Sequence, residues 1–292
     1  RRMSPEPAMF ECRVCSTPNT PFMSFGQMPI ANGFLLPHQF EDEYFFELAP
    51  AFCGNCGMVQ IEEQPDASKM FHENYAFFSR TSNYMIKHFA AFAEDVRKKW
   101  LTGVDDPFVI ELGSNDGILL GNFSGAGIRH LGVEPSANVA DEARRLGVNT
   151  LCTFFDEDVA KKIVAEHGRA NAVLAANVMC HIPDLPMIAR GIRLLLEDDG
   201  ILSFEDPYLG DVITKTSYDQ IYDEHVFLFS ARSIANAFAP AGLELIDVDP
   251  QFTHGGSMRY TLTPTGARPS SSRVDELLAL ETKLGLGKAE TY

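Results

Sequence analysis

At 292 residues, 45% of them hydrophobic, the chain can bury a full core and is long enough for a small lobe plus one ordinary α/β domain, so disorder is excluded as the default. A formal charge of -16 excludes long-range recruitment by nucleic-acid backbones or anionic membranes, which depends on clustered Lys and Arg. No apolar run reaches transmembrane length, and Arg1 to Phe10 lacks the apolar core of a secretory signal, so a cytoplasmic address with no membrane partner is expected.

In chain order, residues 9–70 come first, rich in Pro, Gly, Phe and Cys, with short strand-like runs and no sustained helical period. Such a loop-rich lobe needs a staple. Cys12-Arg-Val-Cys15 and Cys53-Gly-Asn-Cys56 supply four thiolates, the number a tetrahedral structural zinc requires, and two intervening residues let both sulfurs of a pair face one metal. Gly54 and Gly57 are expected to relieve the second knuckle. Redox or unliganded cysteines are the alternative reading. A zinc module for nucleic acid is opposed by the acidic surroundings Glu41, Asp42, Glu43, Glu47, Glu62 and Glu63. The other two cysteines, Cys152 and Cys180, stand in apolar surroundings and read as plain core residues.

From Ser79 the pattern changes. Tyr84, Ile86, Phe89, Phe92 and Val96 recur at helical spacing up to Trp100. Alternating units follow: strand 108–112, helix 116–123, strand 128–134, helix 136–146, a short strand near Val148, helix 156–166, strand 172–177, helix 186–196, a turn at Asp199-Gly200 and strand 201–205. The alternation predicts a parallel sheet. Helix 230–241 is closed by Gly242, and strands 243–248 and 258–262 are expected to form an antiparallel edge. Arg1 is not a start residue and the amphipathic run Val274 to Leu284 ends without a following strand, so a longer natural protein is expected. The domain reading is a zinc-binding lobe at 9–70, a catalytic domain at 71–265 and the start of a C-terminal domain at 266–292.

The first of these strands ends in Glu111-Leu-Gly113 and turns through Ser-Asn-Asp-Gly117 into a helix, bringing bare backbone to the carboxyl edge of the sheet, where a ligand can approach it. Twenty-one residues after Gly113 the next strand ends at Glu134, whose carboxylate can accept hydrogen bonds from both hydroxyls of a ribose. A dinucleotide fingerprint is not met, because Asn115 stands at the middle glycine and Ile118 at the last spacing. The E-x-G-x-x-x-G form resembles motif I of class I S-adenosylmethionine-dependent methyltransferases. Phe155 and Asp156 could border an adenine, though an apolar residue before a helix cap explains them as well. Asn177, at the end of the fourth strand, faces the same edge.

Tyr222-Asp-Glu-His225 lies between the fifth strand and the next helix and places an imidazole beside a carboxylate. Together with Asn177-Val-Met-Cys-His-Ile182 and His254-Gly-Gly-Ser-Met-Arg259, the ordered motifs over about 250 residues make the chain similar to the zinc-containing deoxysugar C-methyltransferases, which act on dTDP-linked keto sugars. The resemblance implies a class I methyltransferase fold (a Rossmann-like α/β sheet) with an N-terminal zinc lobe, S-adenosylmethionine as cosubstrate, structural zinc, and methyl transfer to C-3 of a 4-keto sugar through an enolate. The family carries a further C-terminal domain beyond the point where this chain stops. His225 is the expected base, since imidazole suits proton abstraction near neutrality, and Glu224 the residue to orient it. Tyr222, His181 and Tyr75 are expected to hydrogen-bond the enolate oxygen or the sugar. Arg80 is a candidate for the cosubstrate's carboxylate or else a solvated helix-start residue, and the run ending in Arg259 either faces the substrate or marks a turn before an edge strand. A monomer is expected. Two other functions remain open, a C-methyltransferase on a different small ketone and a zinc-containing RNA methyltransferase or binding module.

Overall fold

The computed structural model describes residues 9–65 and 79–292, so Tyr75 lies outside the described residues. Strands β1 (Phe10–Glu11), β2 (Pro18–Asn19), β3 (Gln27–Pro29), β4 (Phe45–Glu47), β5 (Pro50–Phe52) and β6 (Val59–Ile61) build the cysteine-bearing lobe. They are two or three residues long, too short to bury a core of their own, which fits a lobe organised by its cysteines.

Helix α1 (Asn83–Trp100) leads into the second unit. Its Phe89, Phe92, Ala93 and Val96 are buried along one stripe, and the Ser82 hydroxyl caps its start by accepting from Met85 N. A seven-stranded sheet follows, made of β7 (Phe108–Leu112), β8 (Arg129–Val133), β9 (Thr150–Leu151), β10 (Ala170–Ala176), β11 (Leu196–Pro207), β13 (Leu243–Gln251) and β14 (Ser257–Pro264), with β12 (Phe227–Leu228) lying elsewhere. The order is β13-β14-β11-β10-β7-β8-β9. Strand β14 is antiparallel to both β11 and β13, so the last strand in sequence is inserted inside the sheet, and β13 becomes the edge. Side chains alternate across the sheet as the pleat requires: Val109, Ala172 and Leu174 join one core, Ile110, Val173 and Ala175 the other.

Three local readings differ from expectation. The segment 116–123 is mostly turn, with only α2 (Gly121–Ser124) helical, because Asn115 and Gly117 are left-handed and prevent a helix from starting at Asp116. Helices α3 (Ala137–Arg145), α4 (Glu157–His167) and α5 (Leu185–Leu195) stand within a residue or so of expectation. The Asp199-Gly200 turn does not end a helix-strand link. It is a bulge inside β11, where the partner of β10 advances from Leu196 opposite Ala170 to Ile201 opposite Ala172. Finally, Cys152 is exposed rather than core, since it follows the short β9 at the sheet's rim, while Cys180 is buried.

Helix α6 (Leu209–Lys215) follows β11, and α7 (Ala231–Phe238) follows β12. The residues expected to open a C-terminal domain pack onto this body. In α8 (Ser272–Leu284), Val274 and Leu277 join the main core, and Glu281 accepts from Ala231 N and Arg232 N at the start of α7. Tyr292 stacks between Phe22 and Phe52 of the cysteine lobe. No helix among the described residues is long and apolar enough to cross a membrane.

Candidate functional site

The four cysteines meet. Cys12 Sγ is 3.6 Å from Cys56 Sγ, Cys15 Sγ is 3.5 Å from Cys53 Sγ, and all four sulfurs lie within 4.8 Å of one another. A tetrahedral zinc with bonds of about 2.3 Å places its sulfurs roughly 3.8 Å apart, so the donor set fits that ion in number, type and spacing. The two knuckles are built alike: Ser16 N donates to Cys12 O and Gly57 N to Cys53 O, and both Ser16 and Gly57 are left-handed, at φ 58° and 77°. Gly57 therefore answers to the glycine requirement, whereas Gly54 has no positive φ and no neighbour near its Cα that demands one. Gln60 Nε2 donates to Cys12 Sγ at 3.0 Å, steadying a sulfur. A shared hydrogen bond between the two sulfurs pulls Cys12 down to about 4 and, with burial, pushes Cys56 up. Four thiolates so close need a cation between them.

At the carboxyl edge of the sheet, Gly113 (φ 64°) and Gly117 (φ 73°) are left-handed, and a Cβ on Gly113 would collide with the Val178 side chain while one on Gly117 would come within 2.8 Å of Val148 Cγ2. Asn115 is left-handed too, a conformation Asn tolerates. Its backbone N donates to Glu134 Oε2 at 2.9 Å, and Ser136 N donates to Glu134 Oε1 at 2.8 Å, so the carboxylate that ends β8 is fixed against the turn. Burial leaves the Glu134 carboxyl raised, although these amides offset part of the rise. Gly113, Asn115 and Asn177 are half-buried around this opening, as a lining for a nucleoside would be. Asn177 is itself left-handed and is tied by its N to Glu205 O at 2.7 Å.

Several expected ligand residues do other work. Glu111 is buried beneath the turn, its carboxyl pushed well up by burial, so it supports the loop from below. The Phe155 ring packs at Gly191 of α5, and Asp156 caps α4 by accepting from Val159 N at 2.8 Å. Arg80 clasps the turn itself: its N donates to Asp116 Oδ2 at 2.9 Å and its Nη2 to Gly117 O at 2.9 Å. Arg259 is buried, bonded to Glu205 Oε1 through Nε at 2.8 Å and stacked 3.9 Å from the Phe92 centroid, so it is no free cation for a substrate.

Beside the turn, Val178 leads into a short turn that carries Cys180 and His181. The His181 ring centroid lies 5.2 Å from that of His225, and the Tyr222 centroid lies 4.4 Å from His225. His225 Nδ1 is 2.8 Å from the Gln220 carbonyl. A carbonyl can only accept, so Nδ1 carries the proton and Nε2 keeps its lone pair. Burial lowers His225 to about 4 and holds His181 well below the usual range. Glu224 does not orient His225 as expected. Its Oε1 accepts from Asn32 Nδ2 at 2.6 Å, and its Oε2 lies 3.9 Å from His181 Nδ1. Sequence reasoning missed Gln220, which acts through its backbone and leaves no side-chain signal, and Asn32, which lies 192 positions from its partner.

A seven-stranded sheet with one inserted antiparallel strand, and a glycine turn tied to the carboxylate of the next strand, define a class I S-adenosylmethionine-dependent methyltransferase. A family model for a methyltransferase domain matches residues 83–248, and one for a zinc binding domain matches residues 12–71. The chain is 32% identical over 290 residues to the C-methyltransferase NovU of Streptomyces niveus, across 97% of this chain and 67% of that protein. The chain thus belongs to the methyltransferases with an N-terminal zinc-binding domain, with S-adenosylmethionine and zinc as its cofactors. Among solved structures it is similar to a methyltransferase of Anabaena variabilis (TM-score 0.47, 16% identity, 60% of this chain and 84% of that one). It is also similar to the magnesium protoporphyrin IX methyltransferase of Synechocystis with bound SAH (TM-score 0.46, 17% identity, 62% and 85%).

Proposed function

We propose that the chain transfers a methyl group from S-adenosylmethionine to C-3 of a dTDP-4-keto-deoxysugar, with His225 as the base that forms an enolate. The observation that carries this reading is the bond from His225 Nδ1 to the Gln220 carbonyl, which leaves Nε2 unprotonated in a buried ring that stays neutral at physiological pH. The name of NovU supports a carbon acceptor.

A hydrogen on carbon beside a ketone is acidic because its electron pair can move onto the carbonyl oxygen. In the proposed step that proton passes to His225 Nε2. Tyr222 and His181, both against the His225 ring, would donate to the oxygen where charge gathers. Tyr75 is retained for the same role on its sequence alone. S-adenosylmethionine supplies, when bound, an electrophilic methyl on a sulfonium sulfur that leaves as a thioether. Gly113, Asn115, Gly117, Glu134 and Asn177 would hold it, with Glu111, Phe155 and Asp156 shaping the pocket from behind. Cys12, Cys15, Cys53 and Cys56 would hold zinc in the lobe at 9–70 as a structural ion, while the base and the cosubstrate turn belong to the domain at 71–265.

The test is mass spectrometry of a dTDP-4-keto-2,6-dideoxy sugar incubated with the protein in heavy water, with and without S-adenosylmethionine. Deuterium uptake without cosubstrate and a methyl gain with it are expected. Intact cosubstrate binding with neither change would reject the substrate class, and a methyl gain on another small ketone would replace it.

A further inference from the structure

The loop that carries Tyr222 to His225 is held from outside the methyltransferase sheet. Strand β12 pairs with β6 of the zinc lobe, Phe227 opposite Gln60 and Leu228 opposite Val59, and Ile61 N donates to Val226 O at 3.0 Å. Gln60 thus belongs to two assemblies at once. Its backbone is in register with Phe227, two residues after His225, and its side chain bonds Cys12 Sγ and accepts from Arg13 N. Asn236 Nδ2 donates to Cys56 O from α7, closing the seam on the other side. Nearer the reacting groups, Ala31 N donates to Asp223 Oδ1 at 3.2 Å and Asn32 Nδ2 to Glu224 Oε1 at 2.6 Å. Both carboxylates are buried, while Asn32 is exposed.

We propose that Asn32 is a positioning residue of the reaction, reaching from the zinc lobe to hold the Glu224 carboxylate against His181, so that the lobe forms one wall of the catalytic site. Three features carry the assignment. A buried carboxylate with one oxygen near an imidazole needs its other oxygen satisfied, and an amide N–H does this without adding charge. The bond to a carboxyl oxygen is directional, so it fixes which way the Glu224 carboxyl group faces. Asn32 contributes nothing to the lobe's core, because the lobe is docked independently by the β6–β12 pairing and by Ala31. Among the described residues, its side chain bonds Glu224.

The inference rests on the reading of His181 and His225 as reacting residues, and two measurements keep the two separable. Asn32→Ala and Asn32→Asp are compared with the unaltered protein and with Gln27→Ala, which removes an exposed lobe contact to Glu47 and should leave activity unchanged. In the first measurement, kcat on the dTDP-4-keto-2,6-dideoxy sugar should fall about tenfold or more in both Asn32 variants, as loss of preorganised geometry does. Cosubstrate affinity by calorimetry and one zinc per chain should be retained. In the second, the long-range imidazole spectrum of the protein, assigned with His181→Asn, should show the His181 resonances displaced in both variants. Unchanged kcat with unmoved His181 resonances would overturn the proposal, as would loss of zinc or of cosubstrate binding in step with kcat, which marks a purely structural residue. If the unaltered protein does not turn the sugar over, the substrate reading fails and the imidazole spectrum alone decides whether Asn32 holds Glu224 against His181.

Discussion

Replacing His225 by Asn should change how stability responds to acid, by an amount that follows from burial. The ring is about 6% exposed and its folded pKa is lowered from 6.5 to about 4. Because the folded value is depressed, the unfolded chain takes up a proton that the native ring refuses, and stability falls as pH drops through this window. At pH 7 the loss is negligible. At pH 5 it reaches about 2 kcal/mol, and it is complete, at about 3 kcal/mol, below pH 4. Asn cannot be protonated yet keeps an N–H for the Gln220 carbonyl, so the variant lacks this loss while holding the loop. Urea unfolding of both proteins at pH 7 and pH 5 should show the stability difference moving by about 2 kcal/mol in the variant's favour. His181 is also depressed, chiefly by burial, which is common to both proteins and cancels; the smaller part that His225 itself imposes is relieved in the variant and moves the difference the same way. Parallel pH dependences would refute the reasoning, for they would mean that His225 is not held neutral by its surroundings and that the ground for a lone pair on Nε2 is gone.

Cys53→Ser should lose zinc by elemental analysis and, through the β6–β12 pairing, lose turnover, while the glycine turn in its separate sheet still binds S-adenosylmethionine by calorimetry; a metal-free variant with full activity would sink this reading. Gly117→Ala must adopt a left-handed φ and meet Val148 Cγ2 at 2.8 Å, so cosubstrate affinity should fall about tenfold or more at a stability cost of about 1–2 kcal/mol, and unchanged affinity would show that the turn relaxes freely. Ser16→Gly relieves the non-glycine left-handed residue of the first knuckle and should stabilise the lobe toward chelator by about 0.5–1 kcal/mol; a destabilised variant would mean that the Ser16 side chain contributes more than its backbone strain costs.

Local rules reached far into this protein where the physics is local. The paired cysteines announced four sulfurs for one metal because ligand number and knuckle spacing are properties of short segments. The E-x-G-x-x-x-G turn was legible because only glycine takes such φ values without strain, as Gly113 and Gly117 do. Alternation of strand and helix was legible from the side-chain period. Arg259 was misread as available because nothing near it in sequence shows Glu205 or Phe92 closing around it.

The sequence by itself determined the zinc-type ligand set, the glycine turn, the acid at the end of the next strand and the class of sheet, each carried by short segments whose spacing along the chain is itself the signal. The tertiary structure alone decided that β14 enters between β11 and β13, that Glu224 faces Asn32 and His181 rather than His225, and that the Gln220 carbonyl fixes which imidazole nitrogen holds the proton. These are hydrogen bonds and strand pairings whose partners are chosen by packing, and one of them, Asn32 to Glu224, joins residues 192 positions apart, beyond the reach of any local pattern.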